Sequence, residues 1–514
     1  MDYTCDKKTV QVCRTVFESC TEQSVERELS LPEEVRDIRK VLKCQVIPQV
    51  EHSNLSGERV ECGGTVRIRI LYLENDGKMP CSLEEVQPFT ASLPVKGLEN
   101  PEHAVCDVRP RLEFVSCTLS GPRRVSVRGS FSLCLQVMER QNVDLTTSIC
   151  GDDVQQRVRV VPGGALQCLC CERFPLSETL ELGSGKPPME AILRSRVQCL
   201  CEETRVVSDS ILLRGRVLLE VLYVPGNESP LPEKMEFSIP FSQMIEAPGA
   251  REDGVCTVEM RAEDPVLQPR SDNLGENTRL EMHLQLTALV RVYREEDFSI
   301  VEDAYSTVYA TTPQYQNLML PRPTGERQDS FSQTATVESG SELLTGVIDL
   351  WNEITSVGAQ AASGQLVYTG KLNVCLLAVN REGTPFYREK VMDFSAAFPA
   401  EISDGTELLP LSPIVRLQYR ILSASSVEVR ADLQVRTLLQ GSSPCRVLQG
   451  LGQNGEELRT VDTPLVLYFA QNGERLWDIA KRYGSSVQAI CEENEIPLDC
   501  GPDASSSGML LIPM

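Results

Sequence analysis

A nine-residue stretch that recurs three times constrains this chain more than any other feature. Residues 64–72 read Gly-Thr-Val-Arg-Ile-Arg-Ile-Leu-Tyr, residues 215–223 read Gly-Arg-Val-Leu-Leu-Glu-Val-Leu-Tyr, and residues 370–378 read Gly-Lys-Leu-Asn-Val-Cys-Leu-Leu-Ala. Counted from each glycine, positions two, four and six are apolar: Val66, Ile68, Ile70; Val217, Leu219, Val221; Leu372, Val374, Leu376. Strict alternation of this kind belongs to a strand with one face on a core. The glycines stand 151 and 155 residues apart. That interval is too long for a solenoid unit and fits three copies of one whole domain.

The rest of each copy follows the same order. In the first, residues 25–31 alternate like a strand. Val35, Ile38, Val41 and Leu42 then fall at three- and four-residue steps behind Pro32, which predicts a short helix. Residues 186–193 and 341–351 stand at the corresponding places. A turn follows each glycine strand, at 74–77, 225–230 and 380–383, and an alternating strand closes each copy. The closing strands carry Val125 to Val137, Leu280 to Leu286 and Val427 to Val435. Expected linkers are Gly151-Asp152-Asp153 and Pro321-Arg322-Pro323-Thr324-Gly325, which places the copies at 20–155, 156–325 and 326–455.

Composition excludes several function classes. The formal net charge is −23, so the field of the whole chain repels a nucleic-acid backbone, and no nucleic-acid partner is expected. Neither a signal peptide nor a transmembrane segment is legible, and the expected place is the cytosol. Among the twenty cysteines, Cys168/Cys170 and Cys199/Cys201 form close pairs in alternating apolar segments. A structural zinc site more often shows Cys-x2-Cys spacing, and residues i and i+2 on a strand simply share a face. Reduced thiols are expected, with no metal and no other cofactor.

The chain has three histidines, and none stands in a His-Glu-x-x-His or Gly-x-Ser-x-Gly setting. Gly183-Ser184-Gly185-Lys186 imitates the end of a phosphate loop, but Leu180 occupies the first glycine position and Pro187 follows the lysine. No enzyme is expected and no catalytic residue is assigned.

Leu31-Pro32, Asp37-Ile38, Val41-Leu42 and Gly64 to Tyr72, repeated downstream, resemble the SPOCS domain, the repeated domain of spore-coat-associated proteins in spore-forming Firmicutes. The third copy departs most, with Ala378 in place of the tyrosine. The tail carries a sharper resemblance. Gly473, Leu476, Trp477, Ile479, Ala480 and Tyr483 are similar to the core of a LysM domain, a βααβ module, placed here at 464–514. Leu476, Ile479, Ala480 and Tyr483 form a helical stripe, Gly484-Ser485 separates it from a second helix, and Trp477 is read as a core residue. The expected architecture is mainly β: three tandem β-sandwich-like repeats followed by a small βααβ LysM domain.

LysM domains bind N-acetylglucosamine polymers between two loops, here 472–476 and 494–509. Where the family has Gly-Asp-Thr-Leu, this chain has Gly473-Glu474-Arg475-Leu476, so charge replaces the small groove residues. The candidate binding residues are Gly473, Glu474, Arg475, Leu476, Asn494 and Ile496. The resemblances imply a non-enzymatic scaffold of spore coat or envelope assembly. It would be made in the mother cell and recruited to the forespore surface, its LysM-like domain docking a morphogenetic or coat protein. The alternative ligand is peptidoglycan, which would make the chain a glycan-binding envelope protein.

Overall fold

A computed structural model of the chain describes residues 2–32, 36–75, 77–227, 229, 231–403, 405–458, 464–497 and 505–514. Val35, Asp76, Glu228, Pro230 and residues 498–504 of the expected helix, turns and groove loop lie outside the described residues.

The described residues are mainly β, with two α-helices near the end. The first segment holds β1 (Thr4–Ser30), β2 (Ile38–Ser56), β3 (Arg59–Glu74), β4 (Pro80–Pro94), β5 (Ala104–Gly121) and β6 (Arg124–Cys150). They form two antiparallel sheets, β1-β6-β5 and β2-β3-β4. The second holds β7 (Val154–Glu181), β8 (Met189–Val207), β9 (Ser210–Pro225), β10 (Glu233–Glu246), β11 (Val255–Ala262), β12 (Val266–Arg270) and β13 (Arg279–Ser306). Here β8-β9-β10 face a sheet in which β13 pairs with β7, β11 and β12. The third holds β14 (Tyr309–Glu338), β15 (Leu344–Ala362), β16 (Gln365–Asn380), β17 (Pro385–Pro399), β18 (Glu407–Pro410), β19 (Ile414–Ser423) and β20 (Ser426–Glu457). Sheet β15-β16-β17 faces one in which β20 pairs with β14, β18 and β19.

In each segment one apolar cluster draws on both sheets. Ile68 and Ile70 meet Val127 and Leu133; Leu219 and Val221 meet Leu280 and Leu286; Leu376 meets Val429 and Leu433. Each such side chain contributes about 1.5–3 kcal/mol by leaving water. The recurrent strand is the centre of a three-stranded sheet in each segment, β3, β9 and β16. Its glycine is required by close approach. A Cβ on Gly64 would lie 1.9 Å from Gln49 O, on Gly215 2.1 Å from Leu200 O, and on Gly370 2.4 Å from Ser356 O. The neighbouring strand is bulged at these points, between Val50 and His52, Cys201 and Glu203, and Ile354 and Ser356.

The three expected helices are strands instead. β2 begins at Ile38, β8 at Met189 and β15 at Leu344. Two bulges explain the misleading period. In β2 the register slips between Ile38 and Lys40 and again between Val41 and Lys43, so Ile38, Val41 and Cys44 share the core face at three-residue steps. The same pair of slips puts Met189 with Ile192, and Leu344 with Val347 and Leu350, on one face. The bulged Leu42, Leu193 and Ile348 turn to the opposite side, where they pack with Leu71, Leu222, Leu377 and Trp351 from all three segments.

Two further expectations change. The polar start of the chain is strand, because β1 and β6 run on together past the core shared by the two sheets, Thr4 opposite Cys150. Residues 321–325 lie within the 30-residue β14, where Pro323 and Gly325 flank a register slip rather than a linker. The run-on parts of the three long strand pairs, β1 with β6, β7 with β13 and β14 with β20, form arms that pack on one another. Val10, Val12, Leu145, Val161, Phe298, Leu320 and Val447 bury one contact, and Ile149, Val301, Ala304, Leu448 and Leu451 bury the next.

Ion pairs tie each segment to the other two. Arg67 and Arg69 reach Asp264 at 2.8 and 3.4 Å, Arg194 reaches Asp349 at 2.6 Å, and Lys43 reaches Glu353 and Glu389 at 3.3 and 2.9 Å. Lys43, Arg194 and Asp349 stand at matching register, opposite Leu71, Leu222 and Leu377. The thiol expectation is also corrected at one pair: Cys20 and Cys134, opposite each other on β1 and β6, form a disulfide. Non-bonded cross-strand partners approach closely enough for that bond.

Candidate functional site

The last 50 residues build a small unit from the expected elements. β21 (Leu465–Arg475) leads into α1 (Leu476–Tyr483), then α2 (Val487–Glu493), and β22 (Ser505–Pro513) returns antiparallel to β21. Gly484 ends α1 in the left-handed region, φ 65°, where a side chain would be strained. Ser486 starts α2 by accepting a hydrogen bond from Ala489 N. Leu476, Ile479, Ala480, Ile490, Leu510 and Ile512 form the core between helices and strands.

The six candidate residues have different fates. Leu476 is buried in that core. Asn494 is spent on structure: its amide donates to Ile490 O and Leu511 O, and its Oδ1 accepts from Leu511 N, which pins the end of α2 to β22. Glu474 accepts from Gln471 N at 3.0 Å, from Tyr468 Oη at 2.8 Å and from Arg482 at 3.2 Å. Those bonds hold its carboxyl below the ordinary glutamate range, Gln471 N contributing most. Gly473 has φ 91° with open space around it, Arg475 is exposed, and Ile496 is half-buried against the helix core. Thus Gly473, in the irregular stretch of β21, and Arg475, at its end beside α1, are accessible, whereas Glu474 closes that stretch from within.

Trp477 is 2% exposed, as a core residue should be, yet part of its surroundings comes from β13. Its ring meets Tyr305 edge-on at 5.0 Å, and its indole N–H donates to Asp303 Oδ2 at 2.8 Å. Lys481, one turn along α1, donates to both Asp303 oxygens at 2.7 and 2.8 Å. Tyr315 of β14 donates to Asp303 at 2.5 Å, and Tyr305 donates to Ser485 O at 2.7 Å. Burial alone would raise the Asp303 carboxyl. The bonds from Lys481, Tyr315 and Trp477 more than offset it and hold the group below the usual aspartate range. The unit is therefore fastened by its helix side to the arms.

That attachment leaves the other side of the β21–β22 pair outward. Leu467 and Phe469 are 63% and 75% exposed, and Met509, opposite Phe469, is 63% exposed. Three large apolar side chains on one open sheet face are uncommon without a partner. Sequence reasoning missed this face, although Leu-Val-Leu-Tyr-Phe carries apolar residues at both parities and so signals a strand covered on both sides. Asp303 and Tyr305 gave no local signal at all.

Two protein-family models match the chain. One, described as the SipL, SPOCS domain, covers residues 37–120 and 188–266; the other, the LysM domain, covers residues 470–499. The two SPOCS spans begin at β2 and at β8, equivalent strands of the first two segments. No curated protein and no solved structure matches. The chain carries SPOCS-domain sequence in two segments and a LysM domain that takes in both helices.

Proposed function

We propose that this chain is a non-enzymatic scaffold of spore coat or spore envelope assembly, built from three copies of one β-sandwich domain and a docking LysM domain. The repeated strand order, the shared bulges and the glycine in each central strand support descent of the third segment from the same domain. The SPOCS resemblance supplies the spore setting. In that reading the protein is made in the mother cell and recruited to the forespore surface.

The observation that carries the docking role is the open apolar face of Leu467, Phe469 and Met509. Desolvating such a face favours a protein surface, since apolar side chains gain most from burial against other apolar groups. Gly473 and Arg475 form a second, polar contact at the edge of α1, where arginine suits a protein interface.

The competing glycan reading rests on the LysM match and on the accessible loop at Gly473. Sedimentation of the full chain with purified peptidoglycan separates the two. The scaffold reading expects the protein to stay in the supernatant. Sedimentation that chitin oligomers compete away would replace it with the glycan reading.

A further inference from the structure

A cavity of about 660 Å³ opens where the three segments meet. It is bounded by β2 and β5 of the first segment, β8 and β11 of the second, and β15 and β20 of the third. Most charged groups around it are matched. Arg109 and Arg261 hold Asp107, Arg173 holds Glu263, Arg67 and Arg69 hold Asp264, and Arg436 holds Glu326.

Two lining groups are not matched in this way. Arg196, from β8, has its ion pair with Glu220 at a loose 3.5 Å, and Glu220 also faces Arg194 at 3.8 Å and Lys234 at 3.2 Å. Arg194 and Lys234 also reach Asp349, at 2.6 and 3.6 Å, whereas Arg196, among the described residues, has its ion pairing from Glu220 alone. Burial outweighs it and pushes the Arg196 guanidinium below its ordinary range, which marks an under-compensated charge. Asn352, from β15, is 4% exposed, and neither its Oδ1 nor its Nδ2 has a hydrogen-bond partner. Buried polar atoms left unpaired in this way are costly and uncommon in native folds.

We propose that this junction binds a small oxyanion, a carboxylate or phosphate, whose charge is met by Arg196 and whose remaining polar groups are met by Asn352. Guanidinium suits this role because its planar donors match two oxygens of such a group. Asn352 offers both a donor and an acceptor, which selects an anion that also carries a hydroxyl or a second protonated oxygen. Because the lining comes from three segments, an occupant would bridge them and stabilise the assembled trimodular body over its separated parts.

Thermal unfolding and titration calorimetry on the full chain test this, with citrate and inorganic phosphate as probes and sodium chloride at matched ionic strength as the control. At least one probe should raise the melting temperature saturably beyond the chloride control. Arg196→Met, which keeps the stem, should weaken that probe at least tenfold. Asn352→Leu should also weaken it while raising the melting temperature of the unliganded chain, because it removes the two unpaired atoms. A purely structural role for these residues would not separate affinity from stability in this way. The proposal is overturned if neither probe exceeds the chloride control, or if binding persists undiminished in both variants.

Discussion

Removing the Asp303 carboxylate should release the LysM domain from the arms without unfolding either. Asp303 accepts two bonds from Lys481, one from the Trp477 indole and one from Tyr315. Breaking a buried ion pair costs about 3–5 kcal/mol, but Lys481 is a third exposed, so solvent screening reduces its share to about 2 kcal/mol. The indole bond to a charged acceptor adds roughly 1.5 kcal/mol. Asp303→Ala should therefore cost about 3.5 kcal/mol of docking, roughly 300-fold in the equilibrium at a tenfold change per 1.4 kcal/mol. The sequence has two tryptophans, so Trp351→Phe leaves Trp477 as the sole reporter. In Trp351→Phe alone its emission should be blue-shifted and protected from acrylamide. Adding Asp303→Ala should shift it red and expose it, while far-ultraviolet circular dichroism stays unchanged. The sign of the pH effect follows from the depressed Asp303 carboxyl. Its contribution is full above the ordinary aspartate range and is lost as the pH falls through the lower folded value. Acid should thus release Trp477 in the parent and produce no such step in Asp303→Asn. An unchanged emission in Asp303→Ala would refute the reasoning, since the docking would then rest on contacts such as those of Tyr305 with Trp477 and Ser485.

Other consequences concern the repeats. Gly215→Ala drives a Cβ into Leu200 O and the Phe241 ring and should destabilise the second segment by about 1–3 kcal/mol, read as a lowered denaturation midpoint. Asp349→Ala strands Arg194, whose side chain is 4% exposed and stacks 4.6 Å over Trp351, and should cost about 3–5 kcal/mol by chemical denaturation; a loss below about 1 kcal/mol would argue against a dry junction. Thiol titration under denaturant should find two fewer thiols before reduction than after it, reflecting Cys20–Cys134; equal counts would remove that disulfide from the native fold.

The parts that were legible in the sequence are those whose side-chain period matches a single rule. Alternation at Val66, Ile68 and Ile70 reads directly as a half-buried strand, and all three are buried. The stripe of Leu476, Ile479 and Ala480 reads as a helix because Gly484 and Ser486 bound it. The period failed at Ile38, Val41 and Cys44, where two bulges stretch a strand repeat from two to three and imitate a helix. The arms were hidden for another reason. The chain opens on a polar stretch, and the burial of Val10 and Val12 within it depends on strands from all three segments. At the candidate site, Glu474 was legible as a charge, but its bond to Gln471 N depends on the register irregularity of β21. Asp303 lies 174 residues before Trp477, and no local pattern can announce such a pairing.

Localisation in a sporulating cell tests the docking claim most directly. The full chain with a fluorescent tag should form a ring at the forespore surface. Phe469→Asp places a charge on the open face of β21 while leaving the buried Leu510 and Ile512 core in place. That variant should fold, keep Trp477 protected, and remain diffuse in the mother cell. A ring formed equally well by Phe469→Asp would contradict the account, because recruitment would then owe nothing to the face on which it rests.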